Sequence, residues 1–222
     1  MPILLLWLWA TSTFAQGRYQ AGLLPSVNVN TQLPQQWSLN TKLESRQLLA
    51  SGTFGDAQPT EYRYVLTDLS TMGARKVGLN SRIAAGYLIR FRGPQISHRF
   101  IQQYSMVQRL PYFRLGHRLV TDQTLVPNQK PEYRLRYRLA TELPLNGQSA
   151  DPKEFYLKLS NEYLNSLEDT RYDLEIRLAT LLGYTVSEHH KLELGIDYRL
   201  GSLVQSVARH SYWTSLNWYI DL

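Results

Sequence analysis

Arg134, Arg136 and Arg138 stand at alternate positions of this 222-residue chain. A guanidinium group is permanently charged and presents a planar fork of donors suited to carboxylates and oxyanions. In a strand, alternation puts all three on one face, with Tyr133, Leu135, Tyr137 and Leu139 on the other. Further along, Glu175 and Arg177 oppose Leu174, Ile176 and Leu178, while Glu193, Asp197 and Arg199 oppose Leu192, Leu194, Ile196, Tyr198 and Leu200. The two signs can pair across strands and plug an interior, which is the first reading. The second reading is a basic passage that favours anions.

Hydrolytic and metal chemistry would have to come from five histidines, His98, His117, His189, His190 and His210. A His117 base could use a cross-strand serine or Asp122, since such triads assemble in space rather than in sequence. No Gly-x-Ser-x-Gly elbow is present. His189 and His190 fall in a tight turn after Glu188 and lack further ligands at metal-site spacing. Glycine-rich phosphate loops and nucleotide fingerprints are absent too. No catalytic residue, metal ligand or cofactor is predicted.

Whatever these side chains do, long strands must position them. After Asp173, Leu174, Ile176, Leu178, Thr180, Leu182, Tyr184 and Val186 share one face, and Glu175, Arg177, Ala179, Leu181, Gly183, Thr185 and Ser187 the other. The usual strand is about five or six residues, so a two-faced run of about fifteen is unusually long. Alternation and turn residues predict strands at 18–32, 36–49, 60–76, 80–91, 97–110, 112–122, 131–142, 153–164, 171–187, 191–202 and 208–222. Breaks at Pro34, Gly93-Pro94, Pro111, Pro127 to Pro131 and Asn146-Gly147 join them as an antiparallel meander. Short and longer connections roughly alternate, as in barrels with tight turns on one side and long loops on the other.

Many long strands with one apolar face call for a large apolar medium on one side and water on the other. The fold expected is an all-β, up-and-down antiparallel transmembrane β-barrel of 10–12 strands. Bacterial single-chain barrels have even strand numbers. A split of the first segment at Pro25, which cannot donate a ladder hydrogen bond, gives twelve, the preferred count. Placing that segment elsewhere gives ten. An arginine at the lipid midplane costs about 2–4 kcal/mol, so Arg134, Arg136, Arg138, Arg177, Arg199, Glu175, Glu193 and Asp197 are assigned to the lumen.

In 98–109, Arg99, Gln103, Ser105 and Arg109 share a face with Ile101 and Val107. In the next strand, Arg114, Gly116 and Arg118 oppose Phe113, Leu115, His117 and Leu119. A histidine among lipid-facing residues places His117 near a rim.

Composition agrees with export. Hydrophobic residues make up 43% of the chain, and no internal run approaches the roughly 20 apolar residues of a membrane-spanning helix. Fifteen tyrosines suit interfacial girdles, where an apolar ring meets water through its hydroxyl. With no cysteine, disulfides and thiolate metal sites are excluded. Ile3 to Ala10 is apolar, and Thr13 and Ala15 are small, which reads as a signal peptide over 1–15 cleaved after Ala15. No Lys or Arg precedes that run. A barrel domain over 16–222 follows.

The net charge of +6, with 18 Arg against 6 Lys, is spread over alternate strand positions rather than gathered in a patch. Nucleic acid is therefore not an expected partner. The expected partners are outer-membrane lipid and small anionic solutes in the lumen; no protein partner is indicated.

The export signal, ten to twelve strands, the His98-Arg99-Phe100-Ile101-Gln102-Gln103 segment and the arginines at 118 and 134 to 138 resemble the DUF2490 family. The resemblance covers nearly the whole mature chain. It implies an outer-membrane barrel of the kind common in Bacteroidetes and carries over no catalytic residue. Leu222 departs from the terminal aromatic of many barrel proteins, with Trp218 and Tyr219 close by.

The reading is thus a non-enzymatic barrel of the cell outer membrane, porin-like or structural. The alternatives are an outer-membrane hydrolase acting on lipid or lipopolysaccharide acyl chains and a secreted lipocalin-like barrel. The hydrolase requires a histidine beside a serine or threonine. The lipocalin requires an apolar cavity and a polar exterior.

Overall fold

The computed structural model describes residues 17–55, 61–110, 113–147, 149–204 and 207–222. The expected leader, its cleavage site and the boundary at Pro111 and Tyr112 lie outside the described residues.

Eleven strands follow one another: β1 (Arg18–Leu33), β2 (Trp37–Thr53), β3 (Arg63–Lys76), β4 (Ser81–Arg92), β5 (Gln95–Arg109), β6 (Arg114–Leu125), β7 (Glu132–Pro144), β8 (Phe155–Glu168), β9 (Arg171–Thr185), β10 (His190–Gly201) and β11 (Arg209–Asp221). Each pairs antiparallel with the next, and β1 pairs with β11 to close the barrel. The fold is an all-β, up-and-down closed barrel.

Eleven lies between the two even counts that the sequence offered. In an odd meander the first and last strands run the same way, so they can close the ring only in parallel. They do so over Arg18 to Asn30 and Arg209 to Asp221. The split at Pro25 does not occur. Pro25 is paired with Leu216 of β11, while the ladder to β2 skips Leu24 and Pro25 and resumes in the same register at Ser26. That local gap accommodates the proline's missing donor. Inside the seam, Gln20 donates to Ser211 at 2.8 Å, Ser26 to Asn217 at 2.7 Å and Asn30 to Asp221 at 2.9 Å.

Two rims result. The proximal rim, where β1 begins, carries the connections 54–62, 93–94, 126–131, 169–170 and 202–208. The distal rim carries 34–36, 77–80, 110–113, 145–154 and 186–189. Short and long connections occur at both, so the expected division into a tight-turn side and a long-loop side is not seen. In the two-residue connection 93–94, Gly93 has φ +55°, a left-handed conformation that glycine takes without strain.

Among the described residues there is no single apolar core. Two small clusters lie inside the ring, Leu24, Leu48 and Trp213 in one and Leu88, Ile101 and Val120 in the other. Polar and charged side chains fill the space between them.

Candidate functional site

Period-two geometry assigns every strand residue to the lumen or to the outside. On the outside stand Ile83, Tyr87 and Phe91 of β4, Phe100 and Tyr104 of β5, Leu178 and Leu182 of β9, Leu192, Leu194 and Ile196 of β10, and Leu216 and Trp218 of β11, all exposed. The outward polar groups of β5 and β6 bond to one another: Gln102 Oε1 accepts from Thr121 at 3.0 Å and from Gln123 at 3.2 Å.

The lumen has the opposite character. Arg46, Asp68, Arg90, Arg99, Asp122, Arg134, Arg136, Glu162, Arg177, Asp197 and Arg199 all lie in the half of their strands nearer the proximal rim, and they form a charged belt. Asp122 is its most enclosed member, at 1% exposed. Its Oδ1 accepts from Arg134 Nε at 2.6 Å and lies 3.5 Å from Arg99 Nε; Arg136 Nη2 is 3.0 Å from Oδ2. Arg99 also donates to Thr124 at 2.9 Å.

Around the ring, Glu162 takes Arg118 at 3.3 Å and Arg177 at 3.1 Å. Arg90 grips Asp68 with two hydrogen bonds of 2.7 and 2.6 Å, the planar fork that makes arginine the fitting partner. Glu44 completes the ring with Lys42 at 2.7 Å and Arg46 at 3.3 Å.

Nearer the distal rim, Glu193 is 2% exposed and differently held. It accepts from Tyr156 at 3.0 Å, Lys158 at 2.7 Å and Tyr219 at 3.1 Å. Tyr156 can lie there because its cross-strand partner is Gly183; an added Cβ on that glycine would collide with the phenol ring. Above the belt, Ser70, Ala74, Ala84, Gly116, Ala140, Ser160 and Ala179 keep the side chains short. A cavity of about 740 Å³ runs through this part of the lumen.

The structure therefore brings the sequence-selected residues together unevenly. Arg134 and Arg136 meet at Asp122, Arg177 binds Glu175 as well as Glu162, and Arg199 binds Asp197 through two hydrogen bonds of 2.7 and 3.2 Å. Glu193 joins Lys158 instead. Arg138 donates to the Ser160 hydroxyl at 3.0 Å; Glu162 is its cross-strand partner, and among the described residues no carboxylate is within ion-pair distance of it.

Asp68, Arg90, Glu44, Arg46, Asp122, Glu162 and Lys158 were not assigned to the lumen from the sequence. The signal was there for Asp122, which continues the Arg118, Val120 alternation. For Glu162 and Lys158 it was the same parity in β8.

Asp122 and His117 occupy positions of opposite parity in β6 and thus opposite faces, which removes that pairing. His117 lies three residues into β6 and bonds to the Tyr137 hydroxyl at 2.8 Å. His98 pairs with Tyr87, His210 with Tyr198 and His189 with the Asp221 carbonyl.

Comparison with known proteins adds one finding. A family model described as a protein of unknown function, DUF2490, matches residues 21–206, from the start of β1 into the last connection. The chain belongs to the DUF2490 family. As a DUF2490 member it has no match among curated proteins or solved structures, and the family description assigns no activity, so its lumen has to be read from its own residues.

Proposed function

We propose that this DUF2490 protein is a non-enzymatic barrel of the outer membrane, exported by a leader ending at Ala15, whose arginine-rich lumen passes small anions. The observation that carries this reading is the inversion of its two faces. Apolar residues such as Leu194 (56% exposed) and Ile196 (58%) point outward, whereas Asp122 and Glu193 are enclosed. A barrel in water would be expected to do the reverse, because contiguous exposed apolar surface beyond a few hundred Å² is rare in soluble monomers.

Strands of 12 to 17 residues also exceed the roughly 9–11 needed to cross a bilayer with tilt. A lipocalin-like carrier needs an apolar cavity; here Arg118, Arg138 and Lys158 line it. A hydrolase needs a histidine beside a serine or threonine, and the hydrogen-bonded rings are taken up by tyrosines and a backbone carbonyl. Ion pairs line the lumen along the belt, which suits slow passage of small ions better than a wide aqueous pore.

The test has two stages. Expressed protein should sediment with outer membranes and shift in gel mobility on boiling; recovery in the soluble fraction rejects the membrane location. The folded barrel in a planar bilayer, under a salt gradient, should show a reversal potential of the sign that marks anion preference. Absence of conductance from a verified folded barrel rejects the passage.

A further inference from the structure

Charge in the lumen is not evenly matched. On β5, β6 and β7, Arg99, Arg118, Arg134, Arg136 and Arg138 face inward, and among the described residues the carboxylates in ion-pair contact with them are Asp122 and, from β8, Glu162. Asp122 is already shared by three guanidinium groups, and Glu162 by Arg118 and Arg177.

Arg118 and Arg138 are direct cross-strand partners, an arrangement in which like charges oppose folding. The Nε–H groups of Arg118 and Arg136 are buried without an acceptor, and a buried unmet donor costs about 1–3 kcal/mol. Beside this pair on the distal side, Gly116 and Ala140 face each other. Both line the cavity and leave space in front of the guanidinium groups.

We propose that Arg118, Arg136 and Arg138 form a binding site for a multiply charged oxyanion of the phosphate type, either free phosphate or the phosphoryl group of a larger solute. A tetrahedral dianion offers several acceptor oxygens, which matches converging guanidinium forks better than a monovalent halide does. The ligand would relieve the Arg118–Arg138 repulsion and satisfy the two Nε–H donors. The site deepens the anion-passage reading and rests on it for the route by which the ligand arrives.

The test is calorimetric titration of the detergent-refolded barrel with inorganic phosphate, glycerol phosphate and chloride at one ionic strength. Phosphate should bind at least roughly tenfold more tightly than chloride. R118Q and R138Q should each weaken phosphate binding roughly tenfold, the loss expected for a charged hydrogen-bonding partner.

G116L keeps every arginine, and a Cβ there meets only the Ala140 carbonyl oxygen at 3.6 Å. This variant should fold and lose binding because it fills the space. It decides the matter if the arginine variants fail to fold. K130Q, at the proximal rim, should change nothing.

No phosphate binding by the wild-type barrel, or equal weakening by K130Q, overturns the site. Binding of both phosphates assigns the phosphoryl group as ligand; binding of the inorganic ion alone assigns free phosphate. Binding by a barrel that does not conduct keeps the site and rejects the passage, and conduction without binding does the reverse.

Discussion

Asp122 and Glu193 are both enclosed carboxylates in the same lumen, yet their partners differ in kind. Asp122 lies among three guanidinium groups, from Arg99, Arg134 and Arg136. Glu193 has one ammonium, from Lys158, and two phenol hydroxyls, from Tyr156 and Tyr219. Around Asp122 the carboxylate is the scarce element, and its loss would leave several buried cations facing one another. Around Glu193 most of the donors are neutral and tolerate a neutral acceptor. Excess positive charge therefore belongs to the β5–β7 wall, and the β8–β11 wall is close to balanced.

Substitutions can break or sharpen this contrast. The largest effect should come from D122N, which leaves three guanidinium groups without their shared counter-charge. Removal of one partner from a buried ion pair costs about 3–5 kcal/mol. Urea titration of the refolded barrel, read by tryptophan fluorescence, should show a loss of that size; a loss below 1 kcal/mol would mean the belt is not structural.

G183A should come next. Its methyl group would displace the Tyr156 ring, an overpacking cost of about 1–3 kcal/mol, and the damage should stay on the Glu193 side, leaving phosphate affinity unchanged. E193Q should cost only about 1 kcal/mol: Tyr156 and Tyr219 bond different carboxylate oxygens, so the amide oxygen keeps one phenol donor and the amide NH2 can donate to the other hydroxyl. If E193Q proves as damaging as D122N, the two sites are electrostatically alike and the contrast fails. The smallest effect belongs to K130Q. Lys130 and Asp169 pair at 2.7 Å but are 66% and 50% exposed, so stability should change by less than about 0.5 kcal/mol.

Much of this architecture was legible in the chain because alternation is a local property. The strand from Arg171 to Thr185 and the arginine stripe of β7 can be read without knowing their neighbours, and predicted strand ends fall within about four residues of those observed. What could not be read is pairing between residues distant in sequence. Glu162 is 44 positions from Arg118, and nothing near either residue announces the other. Eleven strands fall within the expected 10–12, but the preference for twelve failed for a related reason. Pro25 argues locally for a break, and only the neighbouring β11, nearly two hundred residues away, shows that the strand continues.

The parallel seam also governs how the ring comes into being. Every other pairing joins strands adjacent in sequence, whereas closure brings together residues 191 apart, and the hydrogen bonds from Gln20, Ser26 and Asn30 all span that interval. Such a distant contact forms late, since the entropy of closing the long loop is lost before the contact gives anything back. A chain folded only as far as β10 is an open sheet with two unpaired edges, a form prone to joining other copies. The polar side chains along the inner face of β1 and β11 then act as a latch: they engage when β11 arrives in register and turn a vulnerable sheet into a sealed ring.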